Sequence, residues 1–238
     1  MQSVVRSIYP PQCVACETAT EAEHGLCGPC WAQTGFISGL VCDTCGAPQL
    51  GEDHGDRIQC DDCMSIARPW ERGRAALEYR GIGRRLVLGM KHGDRLDLTW
   101  PAAGWMAARV QPILREDTVI VPVPLHWSRL IKRRYNQAAA LAVDLGRHLG
   151  RPVIVDALMR MKATKPLDGV GRTARFAALT GTIAAHPKRG LLLAGKSVLI
   201  VDDVMTSGAT LAAATEAARA AGAANVSIVT LARVVKDT

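Results

Sequence analysis

The longest apolar runs lie in the C-terminal two-thirds of the chain. Val198 to Val201 places four apolar, mostly β-branched residues in a row, the pattern of a strand buried on both faces of a parallel sheet. Asp117 to Pro124 reads the same way, and its prolines fix an extended or turned exit. Ala75 to Tyr79 predicts a first strand that ends at Arg80-Gly81. Asn225 to Val234 alternates as a last strand before a frayed tail, Lys236 to Thr238. Pro152 to Val155 and Ala157 to Met161 are shorter strand candidates. Between the strands the apolar period becomes helical, at Gly83 to Met90, at Trp100 to Leu114 with Pro101 in the first turn, at Ala138 to Leu149 and at Leu211 to Ala221. Strands alternating with helices predict an α/β fold with a parallel sheet.

The N-terminal part has no such pattern. All eight cysteines fall there, as four Cys-x-x-Cys pairs: Cys13/Cys16, Cys27/Cys30, Cys42/Cys45 and Cys60/Cys63. One such turn sets two thiolates on one side of a metal, and two turns complete a tetrahedral zinc site. So short a segment, poor in large apolar residues, could not stay folded by burial alone, and metal binding would hold it instead. We expect two structural zincs, with the pairs joined sequentially. An interleaved cross-brace, redox or disulfide use, and an iron–sulfur cluster are the competing readings of the same cysteines. With four thiolates per site no position stays open for chemistry, and His24 and His54 read as surface residues. The expected division is residues 1–68 for a double ribbon and 69–238 for the α/β domain, joined by a Pro- and Arg-containing linker.

Composition narrows the setting. A net charge of +7 and a pI near 9.2 favour anionic partners, phosphorylated metabolites or nucleic acid, without choosing between them. The ribbon itself carries Glu21, Glu23, Glu52, Asp53, Asp56, Asp61 and Asp62, so its charge argues against a direct grip on DNA. No charged-then-apolar segment opens the chain and no run of about 18 apolar residues occurs. A cytoplasmic protein without membrane insertion is therefore expected, and cytosolic thiols stay reduced, which also favours metal over disulfides.

The candidate chemistry gathers after Val201. Asp202 and Asp203 stand where the strand should emerge, and Thr206, Ser207, Gly208, Ala209 and Thr210 lead directly into an Ala-rich helix. A small hydroxyl-rich loop at a helix N-terminus offers free amides and the positive dipole end to an anion, usually phosphate. Acids beside such a cradle suit a ligand that also carries ribose hydroxyls or a metal ion. A receiver domain also uses an Ile-Val-Asp-Asp strand, but near its start, and only 35 residues follow Asp203 here. Arg129, Lys132, Arg133 and Arg134 crowd six residues beyond the Pro124 turn. They read either as a solvated basic face or as charges for an acidic ligand. Lys162 to Gly171, with lysines, glycines and a proline but no period, predicts a mobile loop.

These residues resemble the phosphoribosyl-pyrophosphate (PRPP) motif of type I phosphoribosyltransferases. The resemblance implies that Asp202 and Asp203 meet the ribose hydroxyls while Thr206 to Thr210 hold the 5′-phosphate. The string Val121-Pro-Val-Pro124, then Arg133 and Tyr135-Asn136-Gln137, is similar to the ComF family, including its GntX-type members, which couples a zinc ribbon, often doubled, to a PRPP-binding domain. That likeness implies a type I phosphoribosyltransferase-like sheet flanked by helices, Mg²⁺ bound with PRPP, and Lys91, Arg129 and Arg133 as charge-neutralising or catalytic groups beside Asp202 and Asp203. Competence-associated relatives imply a DNA-processing protein or single-stranded DNA as a partner. The chain departs from the family pattern at Arg134 (usually glycine), Tyr135 (usually Phe), Leu167 (usually Gln) and Ala178 (usually Asn). Three functions follow as expectations: a PRPP-binding protein linked to DNA uptake, an active transferase with an unidentified acceptor, or a ribbon adaptor on an inert scaffold.

Overall fold

The computed structural model describes residues 10–21, 23–163 and 171–235. In chain order the elements are α1 (Gly28–Gln33), α2 (Asp61–Ser65), β1 (Gly73–Glu78), α3 (Gly81–His92), α4 (Thr99–Val110), β2 (Val119–Pro122), α5 (Trp127–Arg133), α6 (Gln137–Leu149), β3 (Leu158–Arg160), α7 (Arg172–Leu179), β4 (Ile183–Ala185), β5 (Ser197–Met205), α8 (Ala209–Ala220) and β6 (Asn225–Arg233). β1, β6, β5 and β2 pair in that order, all parallel. Val198, Leu199, Ile200 and Val201 are almost wholly buried, as an apolar run covered on both faces requires.

Each sheet face has its own core. On one side Leu199, Val201, Val229 and Leu231 pack with Met90, Met106, Leu141 and Leu145 of α3, α4 and α6. On the other, Val198, Ile200, Val226 and Ile228 meet Leu211, Ala214 and Ala218 of α8. The chain therefore leaves β2 toward one face and β5 toward the other. Adjacent parallel strands whose exits diverge leave a crevice beyond their carboxyl ends, where ligands bind in open α/β sheets.

Several elements differ from expectation. β5 runs on to Met205, so both acids are strand residues rather than the start of a loop. The basic stretch after Pro124 forms the helix α5, capped by His126, whose Nδ1 accepts from the Ser128 amide. The Trp100 helix ends at Val110, and a 3₁₀ turn carries the chain to Ile113. Around Pro152 there is a single parallel bridge, Ile120 to Val153, rather than a strand. β3 and β4 form a small antiparallel sheet of their own, packed on α8. The expected loop falls mostly on 164–170, and the expected tail is 236–238; those residues, with Thr164 and Leu167, lie outside the described ones.

The ribbon region seals the β1 edge of the sheet. The Ile37 amide donates to Ala76 O, the Glu78 amide to Gly35 O and the Gly73 amide to Asp43 O, at 2.8–2.9 Å. An open strand edge is a template for unwanted pairing, and this strap covers it. The approach is close: a Cβ on Gly46 would lie 2.6 Å from the Ala75 nitrogen, and one on Gly73 would lie 2.4 Å from Thr44 O. Asp43 anchors the joint, accepting from Arg72 Nη2 at 2.7 Å and Arg74 Nη2 at 2.8 Å.

Candidate functional site

The eight cysteines gather sequentially, Cys13, Cys16, Cys27 and Cys30 in one group and Cys42, Cys45, Cys60 and Cys63 in the other, with the sulfurs of each group within 4.8 Å of one another. Cys16 Sγ lies 3.6 Å from Cys27 Sγ, and Cys45 Sγ lies 3.6 Å from Cys60 Sγ. Four thiolates at the usual zinc–sulfur distance stand ~3.8 Å apart at tetrahedron corners, so the groups fit the ion. Their charges fit as well. The Thr18 hydroxyl and amide pull the Cys16 thiol down to about 6, while burial and the neighbouring sulfurs push Cys30 up to about 12. Sulfurs this crowded cannot all ionise without a cation among them. Cys13 and Cys30 pack into one core, and Cys42, Cys45 and Cys63 into the other, while Cys16 is exposed.

The second candidate site lies at the carboxyl end of β5. Lys91 Nζ, at the end of α3, reaches Asp203 Oδ1 at 3.1 Å. Asp202 accepts the Asp203 amide at 2.9 Å. Burial, reinforced by the Asp203 charge, raises the Asp202 carboxyl to about 7, against the pull of Lys91, the Asp203 amide and Arg160. Asp202 nonetheless keeps a face open to solvent. Asp203 is held in an ion pair with Lys91, while Asp202 beside it is poised to gain or lose a proton near neutrality.

The loop that follows is brief. Thr206, Ser207 and Gly208 separate β5 from α8, and Gly208 caps the helix at φ +82° without a side-chain cap bond. The Ala209 amide meets Ser207 Oγ at 3.4 Å. A helix that begins this way leaves first-turn N–H groups for an outside acceptor. Arg175 Nη1 of α7 approaches Thr206 Oγ1 at 3.4 Å, which adds a cation to the loop's rim.

The basic stretch divides between two roles. Arg129 and Asp202 both act electrostatically on Arg160, whose ionised form is disfavoured first by burial, then by Arg129. Arg160 thus lies within electrostatic reach of both Arg129 and Asp202. Arg133 instead donates to Gln137 Oε1 at 3.4 Å, and buried Gln137 reaches back to Met90 O at 3.4 Å. Tyr135 Oη also bonds Met90 O. Asn136 caps α6, accepting from the Ala138 amide and donating to Val123 O, both at 3.0 Å. The Arg133–Gln137 segment therefore props α6 against the end of α3, just before Lys91. Arg134, the last cap of α5, has φ +65°. That left-handed backbone is what a glycine tolerates most easily.

Arg160 and Arg68 are the site residues that pattern reasoning missed. β3 is only three residues long, too short for periodicity to single out its arginine. Arg68 reads as one more charge at the ribbon's exit, yet its Nη1 donates to Ser207 O at 2.7 Å. No chain-local signal marks either one.

Comparison with known proteins agrees with both halves of this architecture. Residues 4–64 match the Double zinc ribbon domain, and residues 136–238 match the Phosphoribosyl transferase domain. Among similar proteins, the DNA utilization protein YhgH of Salmonella typhi is 28% identical over 231 residues, covering 94% of this chain and 97% of that one. Competence protein F of Haemophilus influenzae is 27% identical over 229 residues, covering 93% and 96%. A hypoxanthine phosphoribosyltransferase from Staphylococcus aureus aligns with 57% of this chain and 62% of its own, at 16% identity and a TM-score of 0.38. No helix among the described residues is long and apolar enough to cross a membrane.

Proposed function

Since the chain belongs to the ComF group, a double zinc ribbon joined to a phosphoribosyltransferase-type domain, we propose that its crevice beyond β5 binds PRPP or a related ribose 5-phosphate. The bound state would serve DNA uptake or processing through a protein partner or single-stranded DNA. The observation that carries this reading is the continuity of Asp202, Asp203 and the Gly208-capped start of α8 at Ala209 in eight residues of chain. Acid oxygens at the end of the strand and the first-turn amides of the helix are thereby held on either side of one short turn. In this reading the first-turn amides and Thr206 take the 5′-phosphate, and Asp202 and Asp203 take the ribose diol or Mg²⁺. Lys91, Arg129 and Arg160 offset the charge of the pyrophosphate. Both carboxylates are hard oxygen donors of the kind Mg²⁺ prefers, and the ion would supply charge neutralisation on the phosphates. The proposed division into a ribbon over residues 1–68 and a ligand-binding domain over 69–238 follows the same reading.

Titration calorimetry with Mg²⁺-PRPP tests it. The wild-type chain should bind saturably, and the Asp202→Asn/Asp203→Asn variant should lose that binding while keeping its fold and zinc. No binding by the wild type would favour the inert-scaffold reading, and equal binding by both would remove Asp202 and Asp203 from the ligand site. A transferase role has one observation of its own in support: Arg160 and Lys91 both bear electrostatically on Asp202, where a leaving pyrophosphate would need cations. Release of pyrophosphate in the presence of a nucleobase panel would separate turnover from binding alone.

A further inference from the structure

The linker between the ribbon and the sheet touches the loop at the end of β5. Arg68 Nη1 donates to the Ser207 carbonyl at 2.7 Å. Its guanidinium lies 5.4 Å from the Trp70 ring centre and 5.7 Å from that of Phe176 in α7. Trp70 is almost fully buried, and its Nε1 donates at 2.6 Å to the carbonyl of Thr44, inside the Cys42–Cys45 turn. Around Gly208 the fit leaves no room: a Cβ would sit 3.0 Å from Arg68 Nη1, 3.0 Å from the Trp70 ring and 2.7 Å from Met205 Cε.

A peptide unit is planar and trans, so its C=O and N–H point in opposite directions. Holding the Ser207 carbonyl against Arg68 therefore directs the Gly208 amide away from the linker. A planar fork flanked by aromatic rings is well suited to such a hold, because little further freedom is lost in forming the bond. We propose that Arg68 is a positioning residue for the anion loop: it fixes the peptide that aims the Gly208 amide, and Trp70 ties that hold to the second cysteine turn. The ribbon would then act on the ligand site without touching the ligand. The inference rests on the reading of Thr206–Thr210 as the phosphate cradle only for its binding arm.

The test uses the full zinc-loaded chain with Arg68→Gln and Arg68→Lys, followed by hydrogen exchange of the 206–211 segment, Mg²⁺-PRPP titration and zinc content. Loss of a hydrogen bond of this kind corresponds to roughly a tenfold effect. Arg68→Gln should speed exchange across 206–211 about tenfold and weaken Mg²⁺-PRPP by a similar factor, with zinc content and exchange in β6 unchanged. Arg68→Lys, which keeps the charge and loses the fork, should show the same local change to a smaller extent, and it decides the matter if the Gln variant does not fold. Exchange at 206–211 equal to wild type in a folded variant would overturn the proposal, as would an equal rise throughout the chain, the mark of a general packing residue. Faster local exchange in a chain whose wild type binds no PRPP would uphold the brace while removing the ligand reading.

Discussion

At the scale of single residues, Asp202 and Arg134 make the sharpest predictions. The Asp202 carboxyl stands at about 7 chiefly because it is buried, against about 3.9 in an unfolded chain. A folded pKa above the unfolded one means that the native state binds the proton more tightly. Its contribution to stability is therefore full below about pH 4 and is lost as pH rises through about 7. Asp202→Asn has no such loss. Urea midpoints of the wild type and this variant should diverge in the variant's favour as pH rises from about 4 to about 7 and run parallel above about 8, and a constant difference across that range would contradict the assignment. Arg134 pays a left-handed penalty at φ +65°, and its ion pair with Asp94 is long and exposed, at 3.9 Å. Arg134→Gly should raise unfolding free energy by about 1 kcal/mol in denaturant titration. The departure from the family pattern was legible in the sequence. Its physical reason, a backbone angle, was not.

At the scale of elements, the long parallel strands were legible because burial on both faces forces uninterrupted apolar runs, as at Val198–Val201. β3 lies within the Ala157–Met161 candidate, but its partner β4 was not legible, since three residues cannot display a period. α5 was hidden because its exposed face mixes Trp127 and Ile131 with arginines and shows no clean stripe. The joint between the ribbon and β1 was also invisible in sequence, being made by residues about thirty positions apart. Burial pushes the Asp43 carboxyl up, but Arg72 and Arg74 outweigh it and hold it below the usual carboxylate range. Removing one member of a buried ion group strands the others, which costs about 3 kcal/mol or more. Asp43→Asn should accordingly lower the thermal midpoint by roughly 6–12 °C. A change within about 1 °C would show the triad to be dispensable.

At the scale of the whole molecule, the cysteine spacing announced two metal groups, and the fold adds an order between them. The second group lies against β1 through Asp43, Thr44 and Gly46, while Cys16 of the first is exposed. Cys42→Ser should therefore destabilise the sheet domain, read as faster hydrogen exchange in β1 and β6. Cys16→Ser should leave those strands closer to wild type. Equal loosening by both would mean that neither ribbon is specially coupled to the sheet.

The claim on which the functional account turns is that a sugar phosphate sits at the end of β5. A crystal structure of the full chain grown with Mg²⁺-PRPP tests it most directly. The account predicts the 5′-phosphate oxygens within about 3 Å of the Thr206–Thr210 amides, with Asp202 and Asp203 facing the ribose or the metal. PRPP bound elsewhere, or those amides turned inward onto the protein's own carbonyls, would contradict it.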